Sequence, residues 1–206
     1  MIHNVITSIA INLDEFIKNK LSINDDTVIV SSLVDIKGNL NQDVENKISM
    51  FLIHIEEETI TKNATKFSQG NTPPIKINIM LMFSAYFPNF NYVEALKYIS
   101  LVIEFFQKTN IFDDSNTQGL PQNANRIHCE LFNIPIDEIG KLWSNIGANY
   151  VPSVCYKFKQ ILFDGDNISQ DIPRILGVSK KSFNLLDNVD AADVKNIIDN
   201  NDSEKP

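Results

Sequence analysis

Histidine and cysteine are adjacent once in this chain, at His128–Cys129, so a thiol nucleophile served by an imidazole is the first chemistry to consider. Cys155 with His54 or His128 offers the same pairing if the fold brings them together. A closed zinc site needs four ligands at spacings such as C-x2-C or H-x3-H, and Cys129, Cys155, His3, His54 and His128 show none of these. Carboxylates cluster at Glu56–Glu57–Glu58 and Asp113–Asp114, but general acid–base work needs a carboxyl held in a pocket, and both runs read as solvated ends of elements. Asp164–Gly165–Asp166–Asn167 has part of the composition of a calcium loop without its alternating ligands or the glutamate at its twelfth position. No G-x-G-x-x-G, P-loop or G-x-S-x-G occurs, and seven scattered glycines leave no loop to cradle a phosphate. The chain therefore reads as a non-enzyme with no cofactor and no metal, its two thiols reduced and packed in the core.

The bulk properties agree. With 206 residues, 43% hydrophobic and 21% charged, the chain can fill one core and is short for two. A net charge of −8 repels phosphate backbones and anionic lipid surfaces, so neither nucleic acid nor membrane insertion is expected. The first segment lacks a basic leader and a cleavage site, and no apolar run approaches about 18 residues, which points to the cytoplasm.

The elements that would position any site follow from periodicity. Ile2, Val5, Ile6, Ile9, Leu13, Phe16 and Ile17 recur at three- and four-residue steps and line one face of a helix. Thr27 to Val34 reads as a first strand, closed by a turn at Lys37–Gly38–Asn39. A second strand runs from Ile48 to about Ile60, its Ile48–Ile53 half expected to be buried on both faces. Pro73–Pro74 then fixes an extended entry into Ile75–Phe87, the strongest strand, placed centrally because both of its faces are apolar in the middle. Asn91 with Glu94 predicts a capping box, followed by a helix with Val93, Leu96, Ile99, Ile103 and Phe106 as its buried stripe.

Asp113 to Asn125 is a long polar loop, where subunit contacts are expected. Arg126–Phe132 reads as a short strand, and Asn133–Ile146 as a helix with Pro135 in its first turn and Gly147 past its end. Ile136, Ile139, Trp143 and Ile146 are its expected buried stripe. After Pro152, Val154, Tyr156, Phe158 and Leu162 alternate with Cys155, Lys157, Lys159 and Ile161 along a last strand, with both lysines on the wetter face. From Leu186 to Pro206 six acidic residues face two lysines, so half of the net charge sits in a stretch too polar to bury much surface.

Four segments in order, Asn46–Lys47–Ile48 opening a strand, Pro73–Pro74 before INIMLMFSAYF, YVEALKYISLVIEFFQ, and LWSNIGANYVPSVCYKF, are similar to the N-terminal-domain family of cap, or tail-terminator, proteins of phage-tail-like contractile injection systems. The resemblance covers about Ile2 to Asp164, and Pro73, Pro74, Trp143, Gly147, Pro152, Ser153 and Tyr156 carry it as determinants of the fold. It implies a tail-terminator-like α/β (α+β) domain over residues 1–165, a mixed, largely antiparallel sheet flanked by helices; residues 166–206, whose acidic end departs from the family, read from their composition as a C-terminal extension that is mobile or ordered only by a partner. It also implies a structural subunit that forms a ring, taken as a hexamer, which ends the inner tube and joins it to the sheath of a particle assembled in the cytoplasm. A second cap protein is a further implied partner.

The Asp113–Asn125 loop, with Asp113 and Asp114, and the tail after Gly165 are expected to reach neighbouring subunits or the last sheath ring, strand addition to an exposed edge being one way to do so. Lys157 and Lys159 offer a basic pair to an acidic partner, against the plainer reading of a solvated strand face. From a different class comes the reading as a free adaptor or chaperone that shares the fold and is not retained in the particle.

Overall fold

The computed structural model describes residues 2–58, 75–88, 91–120 and 126–163. All of them belong to the first of two units, Met1–Asn167, into which the chain divides. Pro73, Pro74, residues 121–125, the Asp164–Asn167 cluster and the expected 166–206 extension lie outside the described residues.

Helix α1 spans Ile2–Leu21 and buries Val5, Ile6, Ile9, Leu13 and Ile17, the face its spacing predicts. Asp14 on its flank holds the start of strand β1, Val28–Val30. One carboxylate oxygen accepts from the Thr27 amide at 2.7 Å, the Thr27 hydroxyl at 2.8 Å and the Val28 amide at 3.0 Å, while the other meets Lys18 Nζ at 2.7 Å. Burial pushes the Asp14 pKa up, but Lys18 and the Thr27 and Val28 donors outweigh it and hold the carboxyl below its ordinary 3.8. A carboxylate depressed in this way stabilises the fold above its unfolded pKa, and the contribution is lost as pH falls through 3.8 toward the folded value. Asp14→Asn is therefore expected to cost about 1–3 kcal/mol at neutral pH and to flatten the loss of stability on acidification below pH 4. Urea titrations of both proteins at pH 7 and pH 3 check this.

Strand β2, Lys47–Glu57, runs parallel to β1 in the register Val28↔Ile48 to Val30↔Met50. The remaining strands, β3 (Ile75–Tyr86), β4 (Ile111–Phe112), β5 (Ile127–Leu131) and β6 (Ser153–Phe163), pair antiparallel in the order β1-β2-β3-β6-β5-β4. The sheet is thus mixed and largely antiparallel, as expected. The last strand lies between β3 and β5, and the two halves of the sheet meet through it.

β3 is covered on both faces, as its composition predicts. Ile79, Leu81, Phe83 and Ala85 join Tyr156, Phe158 and Ile161 in a core beneath α1 and α2, the latter spanning Tyr92–Lys108. Met80 and Met82 lie on the opposite face with Cys155, where Leu142 of helix α3, Ile136–Ile146, packs against them.

Several expectations are corrected. β1 is three residues long because the chain turns away at Ser31, whose carbonyl accepts from Ser49 Oγ, and Val34 instead bridges Leu40 around the turn at Gly38. On α2 the buried residues are Ala95, Tyr98, Ile99, Val102, Phe105 and Phe106, whereas Val93 is 79% exposed and Leu96 and Ile103 are also open. The capping box does not form: Asn91 makes no side-chain cap bond, and Glu94 pairs with Lys97 at 3.1 Å. In β2 only Ile48, Ser49 and Met50 are buried, while Leu52 is 39% and Ile55 43% exposed, because β1 stops opposite Met50. Ile136 is 89% exposed at the first turn of α3. Strand β6 does not alternate to its end: Gln160 has φ 68°, and the bulge there puts Ile161 on the buried face with Phe158.

Candidate assembly surface

The structure separates the residues that suggested chemistry. Cys129 is buried in the α1/α2 core and His128, its neighbour on β5, is exposed, while Cys155 is buried on the α3 face of the sheet. Burial pushes the Cys155 thiol up to about 12 and the Cys129 thiol higher still, so both are protonated at neutral pH and poor nucleophiles. No group of three or more His, Cys, Asp or Glu side chains among the described residues is arranged to hold a metal ion.

Of the described residues that carried the family resemblance, Trp143, Gly147, Pro152 and Ser153 lie along the turn from α3 into β6, and Tyr156 follows on the opposite face of the sheet, in the core beneath α1 and α2. Trp143 is buried with Leu33 and Val44 and stacks edge-on against Tyr150, ring centroids 5.5 Å apart. Gly147 ends α3 in the left-handed region at φ 79°, its amide donating to the carbonyls of Trp143 (3.0 Å) and Ser144 (3.2 Å). Pro152 is buried and its carbonyl accepts from the Ala85 amide at 2.9 Å, which sets the register in which Ser153 faces Ser84. Tyr156 is buried between Phe83 and Phe106, and burial pushes its phenol up to about 12.

At the far end of the same strands lies a polar network that sequence reasoning did not single out. Asn78 is buried; its amide nitrogen donates to Glu56 (3.2 Å) and Glu58 (3.0 Å), and its oxygen accepts from the bulged Gln160 amide (3.2 Å). Lys157 pairs with Glu56, and Lys159 meets Glu130 at 2.5 Å. Lys157, with help from Asn78, holds the Glu56 carboxyl below the usual range. The lone polar residue between Ile77 and Ile79 was the available signal. Both lysines expected to face a partner thus have carboxylate partners inside the sheet, and Glu56 and Glu58 are half-buried rather than fully solvated.

In the polar loop, Asp113 accepts from the Ser115 hydroxyl and amide and lies 3.7 Å from Arg126 Nε, contacts that hold its carboxyl below the ordinary value. Thr117 and Leu120 are buried and Gly119 sits close to Ser8, so residues 113–120 fold onto α1 and leave Asp114 exposed at the turn.

The other distinctive surface is the outer edge of β2. Beyond Met50 no described strand pairs with it. A groove of about 800 Å³ lies beside it, between the Ser32–Lys37 loop and α3, lined by Val34, Ile36, Phe51, Ile53, Leu142 and Ile146 among others. No described helix is long and apolar enough to cross a membrane.

This mixed sheet, with α1 and α2 on one face and α3 on the other, is similar in fold to two solved terminator and cap proteins. It is similar to the PVC sheath/tube terminator of an extracellular contractile injection system in its extended state, with TM-score 0.52 and 12% identity over 95% of this chain and 72% of that one. It is also similar to the tube-terminating cap of the anti-feeding prophage, with TM-score 0.53 and 13% identity over 84% of this chain and 59% of that one. The chain belongs to the Pvc16 N-terminal domain family, which matches residues 4–176. No curated protein matches it by sequence.

Proposed function

We propose that this protein is a cap, or tail-terminator, subunit of a contractile injection system, forming a ring, taken as a hexamer, that ends the inner tube and connects it to the sheath. The observation that carries the reading is the family match over residues 4–176, and the likeness in fold to both a sheath/tube terminator and a tube-terminating cap supports it. A stack of rings always ends in an unsatisfied face, and a terminator matches that face while presenting nothing complementary beyond it. Such a role asks for shaped surfaces rather than a reactive pocket, in keeping with thiols sealed in the core and carboxylates tied into the sheet. In this reading Asp114, exposed at the turn, is among the loop residues that meet a neighbouring subunit.

The test is negative-stain electron microscopy of particles from cells lacking this gene. Overlong, ragged or separated tubes and sheaths are expected. Particles of normal length with closed ends would refute the terminator role and favour an assembly adaptor, as would purified wild-type particles that lack the protein.

A further inference from the structure

We propose that the outer face of α2 pairs with the same face of a second copy of this chain, the two helices running antiparallel about a two-fold axis near Ser100–Leu101. The pairing does not rest on the terminator reading, because a two-fold contact closes on itself and builds no ring.

α2 carries three faces, one more than a helix lying on a sheet needs. Ala95, Tyr98, Ile99, Val102, Phe105 and Phe106 are buried. Glu94, Lys97, Glu104 and Lys108 form a charged strip, in which Lys97 meets Glu94 at 3.1 Å and Lys108 meets Glu104 at 2.6 Å. On the remaining face Val93, Leu96, Ser100, Ile103 and Gln107 recur at alternating steps of three and four, the spacing of a seam between paired helices. All five are exposed, Val93 at 79%, Leu96 at 44% and Ile103 at 43%. The polar residue in the middle suits close approach. Ser100 is small, and its hydroxyl already donates to the Leu96 carbonyl of its own helix at 2.8 Å, so covering it strands no donor.

Charge order selects the occupant and its direction. From the N-terminal end the strip reads Glu94, Lys97, Glu104, Lys108, negative, positive, negative, positive. Reversed, it reads positive, negative, positive, negative. An antiparallel second copy therefore sets its Lys108 opposite Glu94 and its Glu104 opposite Lys97, and the symmetry repeats both pairs, whereas a parallel copy would set like charge against like. Lys20 of α1 also holds Glu104, at 2.8 Å, so the strip is fixed in place before any pairing. The apolar residues follow the same reversal. Val93 and Leu96 at one end meet Ile103 at the other, and Ser100 leaves room beside the axis for the second copy's Leu96. The seam is thus its own complement in both charge and bulk. So short a seam buries less than the roughly 1,200 Å² at which stable interfaces begin, and the pair is a weak one.

The experiment combines sedimentation velocity with cysteine cross-linking on the full chain. A dimer should grow in as concentration rises from micromolar to several hundred micromolar. Leu96→Glu with Ile103→Glu, both at exposed positions, should weaken association by roughly tenfold or more with an unchanged circular dichroism spectrum, and Lys97→Glu should weaken it several-fold. With a short bis-maleimide, Ser100→Cys should link to itself near the axis. Val93→Cys should not, because the two-fold holds those residues roughly 20 Å apart along the helices, yet it should link to Gln107→Cys in a mixture of the two proteins. Cys129 and Cys155 are buried, so the wild-type chain should stay unlinked. A monomer at every concentration, association indifferent to the glutamate pair, or Val93→Cys linking to itself as readily as Ser100→Cys would each overturn the proposal. If the glutamate pair fails to fold, the cross-linking pattern decides alone. The terminator reading is judged separately, on particle length, and either can fail while the other stands.

Discussion

Phe106→Ala should lower the unfolding free energy by about 3–5 kcal/mol, the range for truncating a buried phenylalanine. Phe106 is 3% exposed and is the ring through which α2 grips the sheet. Its centroid lies 4.3 Å from Tyr156, 5.0 Å from Phe83 and Phe105, 5.7 Å from Phe158 and 6.0 Å from Phe112. Removing it opens a void bordered by one helix and strands β3, β4 and β6, elements that cannot all move inward together, so little of the cavity collapses. A domain of this size has roughly 5–15 kcal/mol in hand, so a large part of the total would go. Phe106→Leu, which keeps most of the volume, should cost much less. Urea denaturation of the three proteins is the measurement. A loss under about 1 kcal/mol for the alanine variant would mean that α2 is not seated on the sheet through this ring.

Asn78→Asp should be nearly as damaging at neutral pH, about 3 kcal/mol, and should recover on acidification. The new side chain keeps an acceptor for the Gln160 amide but replaces the donor held between Glu56 and Glu58 with a third carboxylate. Like charges at such range raise one another's pKa. A group whose folded pKa is raised is harmless below its unfolded pKa and costs stability as pH rises through that value. The variant should therefore lie closest to wild type near pH 4 and furthest from it near pH 7. Asn78→Leu, which loses both donations without adding charge, should be destabilised with no such recovery. Equal deficits for Asn78→Asp at the two pH values would refute the arrangement.

What was legible in the sequence was whatever a single element decides for itself. The spacing of Val5, Ile9, Leu13 and Ile17 allows one buried face, and Ile75–Tyr86 has enough apolar residues on both sides to be central. Pro135 and Gly147 bound α3 because a missing amide hydrogen and a left-handed backbone are local requirements. Helix α2 was legible as a helix but not in phase. It has apolar residues nearly all round, and which of Ile103 and Val102 is buried depends on where the sheet lies. The bulges at Ile53 and Gln160 left no trace because neither position is a glycine, and β4 was missed because two residues carry no period.

The candidate site divides in the same way. The turn from Trp143 through Ser153 was visible through the resemblance, each residue serving a packing or turn requirement. The Asn78 network was not, since Glu56, Asn78, Lys157 and Gln160 are brought together only by the pairing of three strands. Strand order also decides which edge is left open, and nothing in the order of residues along the chain reveals it.

The position of β6 also governs the order in which the molecule can be made. β1, β2 and β3 can pair as soon as they are synthesised, and so can β4 and β5, yet no described strand pairing joins the two groups until Ser153–Phe163 arrives and slots between Ile75–Tyr86 and Ile127–Leu131. A nascent chain must therefore carry the β3 edge bare from Tyr86 until Ser153–Phe163 is made, with the β5 edge bare beside it from Leu131 onward, and the slowest contacts, those of greatest sequence separation, close last. Premature docking of a foreign strand into that gap is the misfolding route this topology has to avoid.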